Sequence, residues 1–336
     1  MQISEKEIKC NVDKPYCIWY NVAMIRHLGY ACINLTLSAD VKKADRVMNS
    51  RTYRMASHSL DKASDIGYQN AKDLLKILQW NEANGIKYFR ISSDMFPFMD
   101  HPEHKYDLDS LKNAKWIRKT LAEAGEYARE HGHRLSMHPG QYTCIASPNE
   151  DIVSKSLLCL EMHNLIADLL GAGPDFKINI HVGGTYEGKA ETAARFCKSF
   201  ERLSPTCQSR LTVENDDKES MWTIEEINDY IHKEIGIALC FDIHHWDCAK
   251  GSFSSAADAY KVAEKTWGDI IPEVHYSEPR DPNGTGQNYR SHSEYCVNTP
   301  PVLSDKPYDL MIEAKMKEKA VLKGLTKLMA NDIIMA

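Results

Sequence analysis

The sequence predicts a (β/α)8 barrel, and three observations carry the prediction. Short apolar runs rich in β-branched and aromatic residues recur eight times along the 336 residues, with amphipathic helical stretches between them. None of these runs is joined to the next by a hairpin signal, so the alternation reads as a parallel sheet that closes after eight units. No Gly-x-Gly-x-x-Gly follows any run, which leaves an open doubly wound sheet as the weaker alternative. Barrels typically take roughly 250 residues and grow by insertion. The length therefore fits one domain over 1–336, preceded by an N-terminal extension over 1–26.

Taken in order, the strands are expected at 28–34, 86–92, 134–138, 177–181, 210–214, 237–242, 273–275 and 309–313. Each is a short run of Ile, Val, Leu, Phe or Tyr, bounded by Gly, Pro or polar residues. Helices are expected at 71–84, 111–130, 152–170, 190–203, 224–233, 256–265 and 315–328, where apolar residues recur on one face. Two starts carry capping signatures, Ser147-Pro-Asn-Glu and Thr223-Ile-Glu-Glu. Gly85, Gly132, Gly171, Gly173 and Gly236 precede strands, where helices commonly terminate. The segment 278–289 is rich in Pro, Gly and Asn and reads as a loop between strands seven and eight.

Barrel chemistry sits at the carboxyl ends of the strands. There the sequence places His138, His181, Glu214, Asp242, His275 and Glu313, on strands three to eight in turn. His245 follows Asp242, Glu273 shares a face with His275, and His292 falls in the loop before strand eight. A lone histidine at a strand end is more often a hydrogen-bonded rim residue than a ligand. Six consecutive strand ends aiming such groups into one cleft would bury uncompensated carboxylates, and metal ions are the simplest compensation. Imidazole with carboxylate suits Zn, Mn or Fe(II), and a carboxylate such as Glu214 can bridge two ions. Spacing does not choose between His244 and His245. Asn215-Asp216-Asp217 reads equally as support for ligand imidazoles or as a capping turn. Gln141 and Tyr142 follow His138 on a loop that could wedge into a duplex, against the plainer reading of an exposed loop. Lys105, Lys112, Lys115, Arg118 and Lys119 read as a solvated helix face.

Composition sets bounds. The net charge of −6 argues mildly against nucleic acid, but bound ions would dominate the local field. Ten cysteines, with no Cys-x-x-Cys pair, read as free thiols of a reducing compartment. The charged start Met1-Gln-Ile-Ser-Glu shows no secretory signal, and no apolar run reaches membrane length, so a cytoplasmic protein with no membrane association is expected.

Read together, the motifs resemble the UV damage endonuclease family (UvdE/UvsE-type). The matching stretches are Leu28-Gly-Tyr-Ala-Cys-Ile-Asn34, Phe89-Arg-Ile-Ser-Ser93, Leu135-Ser-Met-His-Pro-Gly-Gln-Tyr142, His181-Val-Gly-Gly184, Glu214-Asn-Asp-Asp217, Asp242-Ile-His-His245, Val274-His-Tyr-Ser277 and Asp309-Leu-Met-Ile-Glu-Ala-Lys315. The resemblance implies an endonuclease IV-like barrel holding two to three divalent ions, manganese first, with zinc or magnesium as alternatives. It implies one ion on His138, His181 and Glu214, a second on Glu214, Asp242, His275 and Glu313, and a third on His245 and His292 with help from position 273. Glu214 and His101 would be catalytic, Gln141 and Tyr142 would probe the lesion, and Tyr30 and Asn34 would lie near the damaged nucleotides. Family members carry a lysine, carboxylated in some, where this chain has Glu273, which keeps a carboxylate-like anion on a shorter stem.

The expected activity is hydrolysis of the phosphodiester immediately 5′ of UV photoproducts in double-stranded DNA, with no obligate protein partner. An abasic-site endonuclease on the same barrel, a metal-dependent sugar isomerase or epimerase, and a damage-binding protein without chemistry stand as alternatives.

Overall fold

A computed structural model describes residues 24–39 and 46–330, so most of the expected extension over 1–26 lies outside the described residues. Eight parallel strands close in sequence order, β1 (Ile25–Ala31), β2 (Tyr88–Ile91), β3 (Arg134–Met137), β4 (Lys177–His181), β5 (Leu211–Glu214), β6 (Ala238–Asp242), β7 (Glu273–Tyr276) and β8 (Tyr308–Ile312), with β8 pairing back onto β1. Helices lie between successive strands, the longer ones at Leu60–Ala83, Ala114–Glu130, Glu150–Leu169, Lys189–Phe200, Ala256–Glu264 and Lys317–Ala330. The expected barrel is therefore the observed one. Among the described residues no helix is long and apolar enough to cross a membrane, and all eight described cysteines are unbridged.

Alternation along each strand divides the chain between two environments. Leu239 and Phe241 of β6 join the apolar layer under the helices. Burying each such side chain contributes roughly 1.5–3 kcal/mol. Cys240 and Asp242, on the other face, turn to the barrel axis. Ala31, Tyr88 and Met311 form a separate small apolar cluster, an internal plug halfway up. Gly29 makes room beside it, because a Cβ there would lie 2.4 Å from the Tyr88 carbonyl oxygen.

Several boundaries differ from expectation for local reasons. The first strand lies three residues earlier, at Ile25–Ala31, because Cys32 takes a φ of +70° and Asn34 caps the short helix Leu35–Ser38. The helix expected at 71–84 begins at Leu60, where Ser59 caps the Lys62 N–H. Its early turns were hidden by Gly67, a position where a Cβ would come within 2.9 Å of the Phe96 ring. The helix expected at 224–233 opens with the full Thr223–Glu226 capping box and passes through a π-helical stretch at Asn228–His232. Asn149, not Ser147, caps the helix Glu150–Leu169.

Candidate metal centre

At the carboxyl end the strand register sets His181 beside Glu214, Glu214 beside Cys240, and Asp242 beside His275. The centre of the group is Glu214, 1% exposed. Its Oε2 lies 3.5 Å from His138 Nε2 and 3.0 Å from His275 Nδ1. Its Oε1 lies 3.1 Å from His245 Nδ1. The two oxygens therefore face different imidazoles. Asn179, one layer below on β4, donates its side-chain amide to Oε2.

The imidazoles are each oriented by a second group. His138 Nδ1 lies 3.0 Å from the Pro139 carbonyl, His245 Nδ1 lies 2.9 Å from the Asn215 carbonyl, and His292 Nδ1 lies 2.8 Å from the Glu313 carbonyl. A ring N–H donated to a carbonyl leaves the opposite nitrogen with its lone pair for a ligand. His181 Nδ1 stands 3.1 Å from Asp216 Oδ1. His275 has the opposite arrangement: its Nε2 bonds Glu273 Oε1 at 3.0 Å, and its Nδ1 looks up at Glu214. Asn215 fastens Asp242 through both backbone groups, at 2.9 and 3.0 Å, and Asp242 Oδ1 accepts the His245 N–H at 2.7 Å. The triplet after β5 thus both supports the imidazoles and braces β6.

Charge dominates the chemistry here. Burial works against the Glu214 carboxylate, but the imidazoles of His275 and His181 and hydrogen bonds from His138 and His245 hold it well below the usual range. Burial opposes the imidazolium of His275 and His245 too, and the neighbouring anionic groups nonetheless raise both well above the ordinary value. His138, where burial prevails, is lowered. Glu313 is largely shielded from solvent yet held low, chiefly by Arg90, with which it forms an ion pair. Arg90 is the fixed cation beside these acids, and the raised imidazoles are the other positive charge that the described residues offer them. Asp242 Oδ2 is buried and has no hydrogen-bond partner.

This donor set fits divalent ions. Three groups of ligand atoms lie within 4.8 Å of one another, His138–His181–Glu214, Glu214–Asp242–His245 and Glu214–Cys240–His275. Glu214 belongs to all three. The predicted residues His138, His181, Glu214, Asp242, His245 and His275 are therefore brought together, with Glu313 reached through His275 Nδ1 at 3.4 Å. His292 stands at the edge, its ring 6.3 Å from that of His245. His244 bonds the Arg290 carbonyl at 3.2 Å, whereas His245 faces Glu214.

Glu273 is not brought to His245 and His292. It is fully buried one layer below His275, with Oε2 3.8 Å from Arg134 Nη2, because it precedes His275 by two positions and so lies deeper on the same face. Tyr30 and Asn34 are likewise not on a surface that a nucleotide could reach. Both are 0% exposed: Tyr30 donates to Asn81 Oδ1 at 2.7 Å and accepts from Asn34 Nδ2 at 2.8 Å, behind the barrel wall. Gln141 and Tyr142 are exposed, Tyr142 by 85%. Tyr142 lines a groove of about 600 Å³ with Phe98, His101, Ile152 and Lys155, so His101 shares the groove of the projecting tyrosine. Lys112, Arg118 and Lys119 pair with exposed acids, as a solvated face does.

Sequence reasoning missed Arg90, Cys240 and Asn179. The signal was available in the period of two: Arg90 shares a face with Tyr88, Cys240 with Asp242, and Asn179 with His181.

The sequence profile described as UV-endonuclease UvdE matches residues 26–335. The UV-damage endonuclease of Schizosaccharomyces pombe is 36% identical over 339 residues, which covers 95% of this chain and 54% of that protein. The chain thus spans about half the length of the fungal relatives it matches. The crystal structure of SacUVDE superposes with a TM-score of 0.80 at 29% identity, over 92% of this chain and 100% of that one. Endonuclease IV from Thermus thermophilus, at 17% identity and a TM-score of 0.55 over 77% of this chain and 94% of that one, shares the fold.

Proposed function

This chain belongs to the UV-endonuclease UvdE family, and from that premise we propose that it cuts one strand of double-stranded DNA immediately 5′ of ultraviolet photoproducts, using two or three divalent ions. The observation that carries the reading is the imbalance of fixed charge at the strand ends, where, among the described residues, only imidazoles, which ions can deprotonate, make up the difference. Glu214, Asp242 and Glu313 converge there with Arg90 as the opposing arginine, and Asp242 Oδ2 is left without a partner. Uncompensated buried carboxylates are costly, and divalent cations answer that cost.

In this reading His138, His181 and Glu214 hold one ion, Glu214, Asp242, His275 and Glu313 a second, and His245 with His292 a third. Glu273 supports His275 from below. Such ions, when bound, supply a nucleophilic hydroxide near neutral pH and neutralise the charge that builds on the phosphate. Glu214 would serve more than one ion, since it belongs to each of the three ligand groups at the strand ends. Arg90 holds Glu313 in place. His101 accepts the Glu103 N–H on Nδ1 at 3.2 Å, which leaves Nε2 to contact the phosphate next to the cut. Gln141 and Tyr142 probe the duplex. A crosslinked pyrimidine pair stacks poorly, so displacing it costs less than displacing normal bases, and damage is selected through deformability. Manganese is assigned first because imidazole with carboxylate suits it better than it suits magnesium.

Incision of a UV-irradiated duplex beside an abasic-site duplex tests this reading. Nicking 5′ of the photoproduct should vanish with chelator and return with manganese. Nicking of the abasic duplex alone would move the chain to the endonuclease IV activity. No nicking under any metal would remove the reading.

A further inference from the structure

Cys240 sits among the polar groups of the barrel interior. It faces the barrel axis beside Glu214, with its chain neighbours Leu239 and Phe241 turned to the apolar layer. Cys240 Sγ, a carboxylate oxygen of Glu214 and a ring nitrogen of His275 lie within 4.8 Å of one another. All three residues are buried, at 0, 1 and 0% exposure. His275 supplies an independent observation. Its Nε2 is committed to Glu273, and its buried Nδ1 faces Glu214 Oε2 at 3.0 Å with no well-aligned hydrogen bond. Two such groups at that distance need a positive charge between them, a proton in the absence of metal and an ion when metal is bound.

We propose that Cys240 is a metal ligand, joining Glu214 and His275 around one ion as a thiolate and making that position prefer zinc or cobalt over magnesium and manganese. The inference deepens the metal reading above and rests on it. Sulfur is a soft donor, and soft donors favour zinc and cobalt over magnesium. A coordinating ion deprotonates the thiol, and the proton passes to solvent on binding. The rival view is that Cys240 is a small buried filler with no ligand role, as free cysteines commonly are.

Cobalt titration of the full chain, stripped by chelator, separates the two. Binding should bring up a near-ultraviolet sulfur-to-cobalt charge-transfer band. Cys240→Ser and Cys240→Ala should each lose that band while keeping the visible cobalt bands of the remaining sites. The tightest zinc affinity should fall at least about tenfold in both, the scale seen when support of a metal site is removed. If both variants misfold, cadmium-113 resonances of the unaltered chain decide, since a sulfur ligand moves one of them far downfield. Cobalt bound without a charge-transfer band, or a band that survives in both variants, overturns the role of Cys240 and leaves the metal reading standing. Cobalt that does not bind at all overturns both.

Discussion

The two ends of the barrel bury charge in opposite ways. At the amino end Arg134 and Asp309 pair at 2.8 Å, Arg26 reaches the same carboxylate with Nε at 2.9 Å, and Lys177 lies 4% exposed beside them. The faces of the Arg134 guanidinium are covered by Tyr88 and Trp267, at 5.6 and 5.5 Å. There the chain supplies its own counterions. At the carboxyl end Glu214, Asp242 and Glu313 meet Arg90 as their fixed cation and otherwise face imidazoles that gain and lose protons, and an acceptor oxygen of Asp242 is unpaired. The apolar plug of Ala31, Tyr88 and Met311 lies between the two ends. One end is balanced by the chain's own groups and, on the proposed reading, the other by bound ions, so perturbations should divide the same way.

The sharpest test of that division is Glu214→Gln. It keeps the shape of the group but removes the charge and the bridge. Nicking of UV-irradiated duplex should fall by about 10³-fold or more, with the circular dichroism of the fold unchanged. Activity near that of the unaltered chain would break the comparison at the carboxyl end. The mirror experiment is Asp309→Asn, which strands Arg26 and Arg134 without a counterion. Denaturant unfolding should show a loss of about 3–5 kcal/mol, while metal content per folded molecule stays the same. A loss of bound metal instead would mean that the two ends are coupled through Glu273.

Lys177 sharpens the amino end further. Burial, aided by the charge of Arg134, pushes its ammonium down to about 8 from the ordinary value of 10.5. The folded chain therefore holds this proton less tightly than the unfolded chain. Its cost is full below the folded value and is relieved as pH rises from about 8 toward 10.5. Relative to Lys177→Met, the unaltered chain should gain up to roughly 3 kcal/mol between pH 7 and pH 10.5. Parallel stability profiles for the two chains would show that the buried lysine carries no such penalty. The smallest effect is expected at the rim. Tyr142→Ala should weaken binding to damaged duplex by about tenfold, within the 1–3 kcal/mol worth of a stacked base, and leave binding to undamaged duplex nearly the same. Equal losses on both duplexes would take lesion probing away from Tyr142.

Much of the carboxyl end could be read from the sequence. His138, His181, Glu214, Asp242 and His275 each lie at or next to the end of a strand, and in a parallel barrel strand ends converge by construction. The amino end could not be read in this way. Arg26, Arg134 and Asp309 are far apart in sequence, and no local pattern announces a buried ion cluster. Tyr30 and Asn34 show the same limit from the other side. Their motif is at a strand end, but the turn at Cys32 and the hydrogen bond to Asn81 seat them behind the wall.

The chain alone therefore determined the alternation, the closure after eight units and the identity of the groups at the strand ends, because a period of two and a short polar strand terminus are local properties. Tertiary structure decided depth and facing. It set Glu273 a layer beneath His275, faced His245 to Glu214 and His244 to the Arg290 carbonyl, brought Arg90 to Glu313 and placed Cys240 beside Glu214. Those outcomes depend on strand register and barrel stagger, which are fixed by the packing of all eight strands together and by no single one of them.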